Sequence, residues 1–132
     1  YRYLEFNTRD KMMVKKNVLG KKLEVCSLEP LTGYFRDGSC SHCETDSGHH
    51  TLCAEMTDEF LQFSKVKGND LTTPRPEFNF PGLKAGDRWC LCASRWLESA
   101  DAGSAPAVIL EATNEKALDI VEISDLKYHA KL

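Results

Sequence analysis

Apolar and polar positions alternate with a period of two in several short runs along the chain and follow a helical period in one. Residues 21–27, KKLEVCS, read as a short strand with Leu23 and Val25 on one face, and residues 50–56, HTLCAEM, as a second. Residues 88–94, RWCLCAS, read as a buried strand, and residues 105–113, APAVILEAT, as the most apolar one and the expected central strand of the sheet. Between them, TDEFLQFSKVKG carries the clearest helix. Thr57 caps it, Asp58 and Glu59 suit the positive end of its dipole, and Gly68 stops it. Phe60, Phe63, Leu61, Ser64 and Val66 form its apolar stripe. A short helix in RWLESADAG, another from an Asn114 cap, a strand at residues 120–123 and a last helix capped by Ser124 complete the pattern.

The polar stretches are as informative. Residues 29–50, rich in Gly, Ser and Asp, predict a long loop, and loops of that length carry function or stay disordered. Pro74, Pro76 and Pro81 deny residues 69–87 regular structure, because each removes a backbone donor and restricts the residue before it. Phe78 and Phe80 are expected to pin that segment to the body. Residues 1–16 alternate weakly and then turn polar, which predicts an extended N-terminal arm ahead of one domain at residues 17–132. Short strands mixed with short helices make the fold α+β, a single compact domain with long ordered loops.

Composition narrows the function classes. With 42% hydrophobic and 28% charged residues the chain is an ordinary globular sequence. A net charge of -3 argues against nucleic acid as a partner, and the one basic cluster, Lys11, Lys15, Lys16, Lys21 and Lys22, reads as a solvated face. No apolar run approaches the ~20 residues of a membrane span. Tyr1, Tyr3, Leu4 and Phe6 in the arm suit a protein partner.

The candidate chemistry lies in six cysteines. On a strand, residues two apart share a face, so Cys90, Cys92 and Ser94 point one way and Trp89, Leu91 and Ala93 the other. The cysteine face is a second packing face or a site, since a free cysteine packs as a small hydrophobe. Cys40-x-x-Cys43 has the spacing of a zinc knuckle, with His42, His49, His50 and Cys53 close behind it. A dithiol redox pair is the weaker alternative, because loop rather than helix follows Cys43. Cysteines inside apolar runs predict free or metal-bound thiols. They also predict a reducing compartment, the cytoplasm or an organelle interior after removal of a targeting segment. "TGYFRDG" places Arg36 and Asp37 at a turn, where a surface ion pair is the expectation. No Walker loop, G-x-S-x-G, H-E-x-x-H or dinucleotide fingerprint is present.

Four stretches carry a family resemblance: NVLGKKLEVCS, PLTGYFRDG, APAVILEATNEKAL and the long CAEMTDEFLQFSKVKGNDLTTPRPEFNFPGLKAGDRWCLCASRW. The chain resembles the uncharacterised domain-of-unknown-function family 2237 from about Asn17 to its end. The resemblance implies a small α+β domain and no activity. Members are similar to this chain at Cys26, Cys40, Cys53, Cys90 and Cys92 and at a histidine near His50, but not at Cys43, which sets the knuckle apart from the family pattern. The metal set this implies is Cys40, Cys53, Cys90, Cys92 and His50, with Cys26 nearby and zinc, or else iron, as its ion. Three functions stand open: a non-catalytic binding or accessory subunit, a metal protein with a cysteine-lined site, and a thiol enzyme.

Overall fold

The computed structural model describes residues 15–132, so the expected arm at residues 1–16 lies almost wholly outside the described residues. Three antiparallel strands form the sheet: β1 (Leu52–Glu55), β2 (Arg88–Leu91) and β3 (Ala107–Val108), in the order β2-β1-β3. Three helices pack around it, α1 (Asp58–Val66), α2 (Ala93–Asp101) and α3 (Ile123–Tyr128), with short 3-10 turns at Pro76–Phe78, Leu110–Ala112 and Glu115–Asp119. The fold is α+β, as the pattern implied. Among the described residues no helix is long and apolar enough to cross a membrane.

The two-residue period of β1 and β2 decides where the core lies. Leu52 pairs with Leu91 and Ala54 with Trp89, and these four point into the main core with Phe60, Leu61, Met56, Trp96 and Leu126. Cys53 pairs with Cys90 between them and faces the opposite way, into a smaller cluster with Cys26, Cys40 and Ala112. Both faces of the sheet are therefore buried, and the second is built of sulfur.

Local chemistry sets the helix ends. The Thr57 hydroxyl accepts from the Phe60 amide at 3.0 Å, and Asp58 and Glu59 occupy the first turn of α1. Phe60, Leu61 and Ser64 face inward, while Val66, two residues past Ser64 and on the far side of the helix, is 81% exposed. Trp96 is fully buried in α2 and its indole N–H donates to the Pro106 carbonyl at 3.1 Å.

Several expected elements differ. The strand expected at residues 88–94 ends at Leu91, because Cys92 opens α2: its carbonyl accepts from the Trp96 amide, while the Ala93 amide turns to His49. Cys92 thereby leaves the face of Cys90. The strand expected as central, residues 105–113, shrinks to Ala107–Val108 at the edge opposite β2. It stops there because the chain coils into a 3-10 turn and Thr113 uses its hydroxyl, not its backbone, to accept from the Cys53 amide. Residues 21–27 form no strand; Leu23 is buried but Val25 is 52% exposed. No strand forms at residues 120–123, and Glu122, not Ser124, precedes α3. In the proline segment Phe80 is buried edge-on against Trp89 at 5.1 Å, whereas Phe78 is 63% exposed.

Candidate functional site

Two features meet at β2, the open edge of the sheet. Behind it lies the sulfur cluster. Cys26 is bonded to Cys53 and Cys40 to Cys90, so the two bridges interlace along the chain and staple the segments around Cys26 and Cys40 to the adjacent strands β1 and β2. Four of the six cysteines thus form disulfides where free or metal-bound thiols were expected, and three of the four, Cys26, Cys40 and Cys90, also lie close enough together to hold a metal ion. Long sequence separations, 27 and 50 residues, hid the pairing from any local pattern. Cys43 and Cys92 remain free and half-buried. The Cys43 thiol bonds the Thr45 hydroxyl at 3.1 Å, which together with the Thr45 amide lowers its pKa. Cys92 sits beside the Ser94 hydroxyl at 3.2 Å. The expected metal set is therefore split: Cys40, Cys53 and Cys90 come together with Cys26, while Cys92 begins α2 and belongs to another neighbourhood.

In front of β2 opens a cleft of about 560 Å³, lined by Tyr34, Arg36, His50, Arg75, Phe80 and Trp89 among others. Cys90 also lines it. The outward amide of Cys90 donates to the fully buried Thr32 hydroxyl at 2.8 Å. That bond covers the β2 edge and brings the loop after Thr32 across the cleft. Gly33 allows the crossing, since a side-chain carbon there would meet the Ser39 carbonyl at 2.5 Å.

Arg36 comes from this loop, in a left-handed conformation (φ 55°) that non-glycine residues adopt only when their surroundings hold them there. Its guanidinium lies 5.0 Å from the Trp89 ring centroid and donates to the carbonyls of Gly33 (2.7 Å) and Phe78 (3.0 Å). Its Nε is buried and has no partner, and among the described residues no carboxylate pairs with it. Burial lowers its pKa. The expected Arg36–Asp37 surface pair is not formed; Asp37 instead accepts from the Ser39 amide at 3.1 Å.

His50 is the second polar group of the wall. Buried Asp46 holds it twice, with one oxygen on the ring Nδ1 at 2.7 Å and the other on the His50 amide at 2.9 Å. Gly48 lies against the imidazole so closely that a side-chain carbon would sit 2.7 Å from its Cε1. The rings of His42 and His49 lie 5.2 Å apart, tilted by 43°, and do not line the cleft. Asp70 lines it too, but the Thr73 hydroxyl and then the Thr72 amide and hydroxyl consume its oxygens and hold its carboxyl far below the usual carboxylate range.

Sequence reasoning read Arg36 as half of a surface ion pair and did not single out Asp46. The one available signal was an arginine inside a turn sequence, TGYFRDG, whose glycines bend the loop back on itself. The family model described as an uncharacterised protein conserved in bacteria (DUF2237) matches residues 16–130. No curated protein matches the chain.

Proposed function

Because the chain belongs to that uncharacterised bacterial family, a premise that supplies no activity, we propose its function from its own residues: a non-catalytic binding domain whose cleft takes a small organic anion with a flat apolar body. The observation that carries this is Arg36, a half-buried cation with a dry, unpartnered Nε and no carboxylate against it among the described residues. Holding a guanidinium partly out of water without a counter-ion is costly, and a bidentate carboxylate or phosphate repays that cost best. Arg75 adds a second positive charge at the rim, and Asp70, already saturated by its own loop, removes only one. Trp89, Phe80, Phe78 and Tyr34 offer flat apolar surface for the body of the ligand. The volume suits a ligand of a few hundred daltons.

The Asp46–His50 pair resembles the orienting half of a catalytic set. Its imidazole bonds only Asp46 among the described residues, and Cys90, which lines the same cleft, is committed to a disulfide. Among the described residues no free hydroxyl or thiol is bonded to the imidazole for it to activate, so its role is to present one ring nitrogen to a ligand.

Calorimetric titration with 2-naphthoate and its uncharged amide tests the proposal. The acid is expected to bind at least roughly tenfold tighter, about 1.4 kcal/mol. Arg36→Gln should erase the difference and Arg36→Lys should retain part of it. Equal affinity for acid and amide, or an unchanged preference in Arg36→Gln, would overturn the proposal.

A further inference from the structure

We propose that the four bridged cysteines are also a metal site: once a dithiol has reduced both disulfides, Cys26, Cys40, Cys53 and Cys90 bind one zinc ion as a tetrathiolate. This is independent of the cleft and its ligand. It replaces Cys92 and His50 of the expected set with Cys26.

The geometry supports it first. The sulfurs of Cys26, Cys40 and Cys90 lie within 4.8 Å of one another, and the Cys53 sulfur is bonded to that of Cys26. A zinc ion with four sulfurs at about 2.3 Å places them ~3.8 Å apart around a tetrahedron. The bonded sulfurs must part and the unbonded ones approach, Cys53 included, whose sulfur lies outside that 4.8 Å group, and rotation about the cysteine side-chain bonds supplies these movements.

The backbone is independently held. Cys53 and Cys90 are cross-strand neighbours, and their amides donate to the hydroxyls of Thr113 and Thr32. The Cys26 amide donates to the Gly38 carbonyl at 2.8 Å, and the Gly38 amide returns to Thr32. None of these bonds depends on sulfur chemistry, so reduction leaves the four Cα positions in place. The site is also closed. All four cysteines are at most 4% exposed, and Ala112 and Ile109 cover them. A dry, fully protein-ligated tetrathiolate is the arrangement of a structural zinc site.

The balance is simple. Two dithiol molecules each give two electrons and two protons, each closes to a cyclic disulfide, and four thiols result. Zinc binding then releases the four protons. A buried cluster that cross-links two loops to two strands thus has two chemical forms that do the same structural work, one suited to an oxidising and one to a reducing environment.

The test uses the full chain. Protein reduced anaerobically with dithiothreitol, given zinc and desalted is expected to carry one zinc per chain by elemental mass spectrometry, and the oxidised protein none. Cobalt in place of zinc should give the visible absorption of a tetrathiolate site. Cys26→Ser and Cys40→Ser should lose the cobalt spectrum, whereas Cys92→Ser, Cys43→Ser and His50→Ala should keep it. Wild-type protein that takes up no zinc when reduced overturns the proposal. So does a cobalt spectrum that survives Cys26→Ser but is lost in Cys92→Ser or His50→Ala. If reduction alone unfolds the chain, zinc should restore its circular dichroism, and failure to do so also overturns the proposal.

Discussion

Asp46 shows how much one side chain can organise. It is buried, yet both oxygens are used, and both serve His50. Asp46→Ala leaves the half-exposed His50 without the acceptor of its amide and ring nitrogen, which should cost about 1 kcal/mol in denaturant unfolding, a typical net hydrogen-bond figure. Gly48→Ala should detach the ring more gently, since the added methyl occupies the space of the imidazole; the imidazole proton bonded to Asp46 should then vanish from the NMR spectrum. The two phenylalanines of the proline segment make a matched pair. Phe80→Ala should cost on the order of 3 kcal/mol, as for other buried rings, because Phe80 is only 8% exposed and rests against Trp89. Phe78→Ala should stay within about half a kcal/mol of wild type. Urea unfolding curves of Asp46→Ala, Phe80→Ala and Phe78→Ala check these values. The residue pattern predicted that aromatics pin this segment; which ring does so depends on the left-handed Asn79 between them, which turns one inward and the other to solvent.

At the scale of elements, the sheet is short and its rim is held by charge. Glu55 ends β1, accepting from Arg88 of β2 at 3.4 Å and from Lys131 of the C-terminal tail at 2.8 Å. The Lys131 bond is the larger cause of its lowered pKa, ahead of Arg88. A carboxyl whose folded pKa is depressed binds its proton more readily when unfolded. Its contribution is therefore complete above the ordinary glutamate value of about 4.3 and is lost as pH falls through the lower folded value. Glu55→Gln should lower the melting temperature slightly at pH 7, by an amount equivalent to about 0.5 kcal/mol, and leave it almost unchanged near pH 2. An equal loss at both pH values would assign the effect to packing. Of the elements, α1 was legible almost to the residue, because Thr57, Asp58, Glu59 and Gly68 act within one turn of where they stand. β2 and β3 were legible only as apolar runs. Their lengths were set by neighbours far along the chain: His49 drawing off the Ala93 amide, and Cys53 taking the hydroxyl of Thr113.

For the whole molecule, the interlaced bridges decide stability. They close loops of 27 and 50 residues, worth about 3.5 and 4 kcal/mol singly on the chain-entropy view and less than their sum together, since each shortens the other's loop. Thiol titration of the unreduced, denatured chain should find two free cysteines, Cys43 and Cys92, and six after reduction. Four or more before reduction would remove at least one bridge. Reduction in the presence of a chelator should lower the melting temperature by well over ten degrees. The sequence alone determined the α+β class, the capped helix, the proline-broken segment, the family and the opposite facing of Cys90 and Trp89, because caps, turns and strand periods are written in neighbouring residues. It left open the partners of six cysteines, which allow fifteen full pairings, and it read Arg36 as half of a surface ion pair. Those were decided by tertiary structure alone. A bridge joins Cys40 to Cys90 and a cleft joins Arg36 to Trp89 and Phe78 only after the long loops have been laid across the edge of β2, and no local spacing records which distant strand a loop will meet.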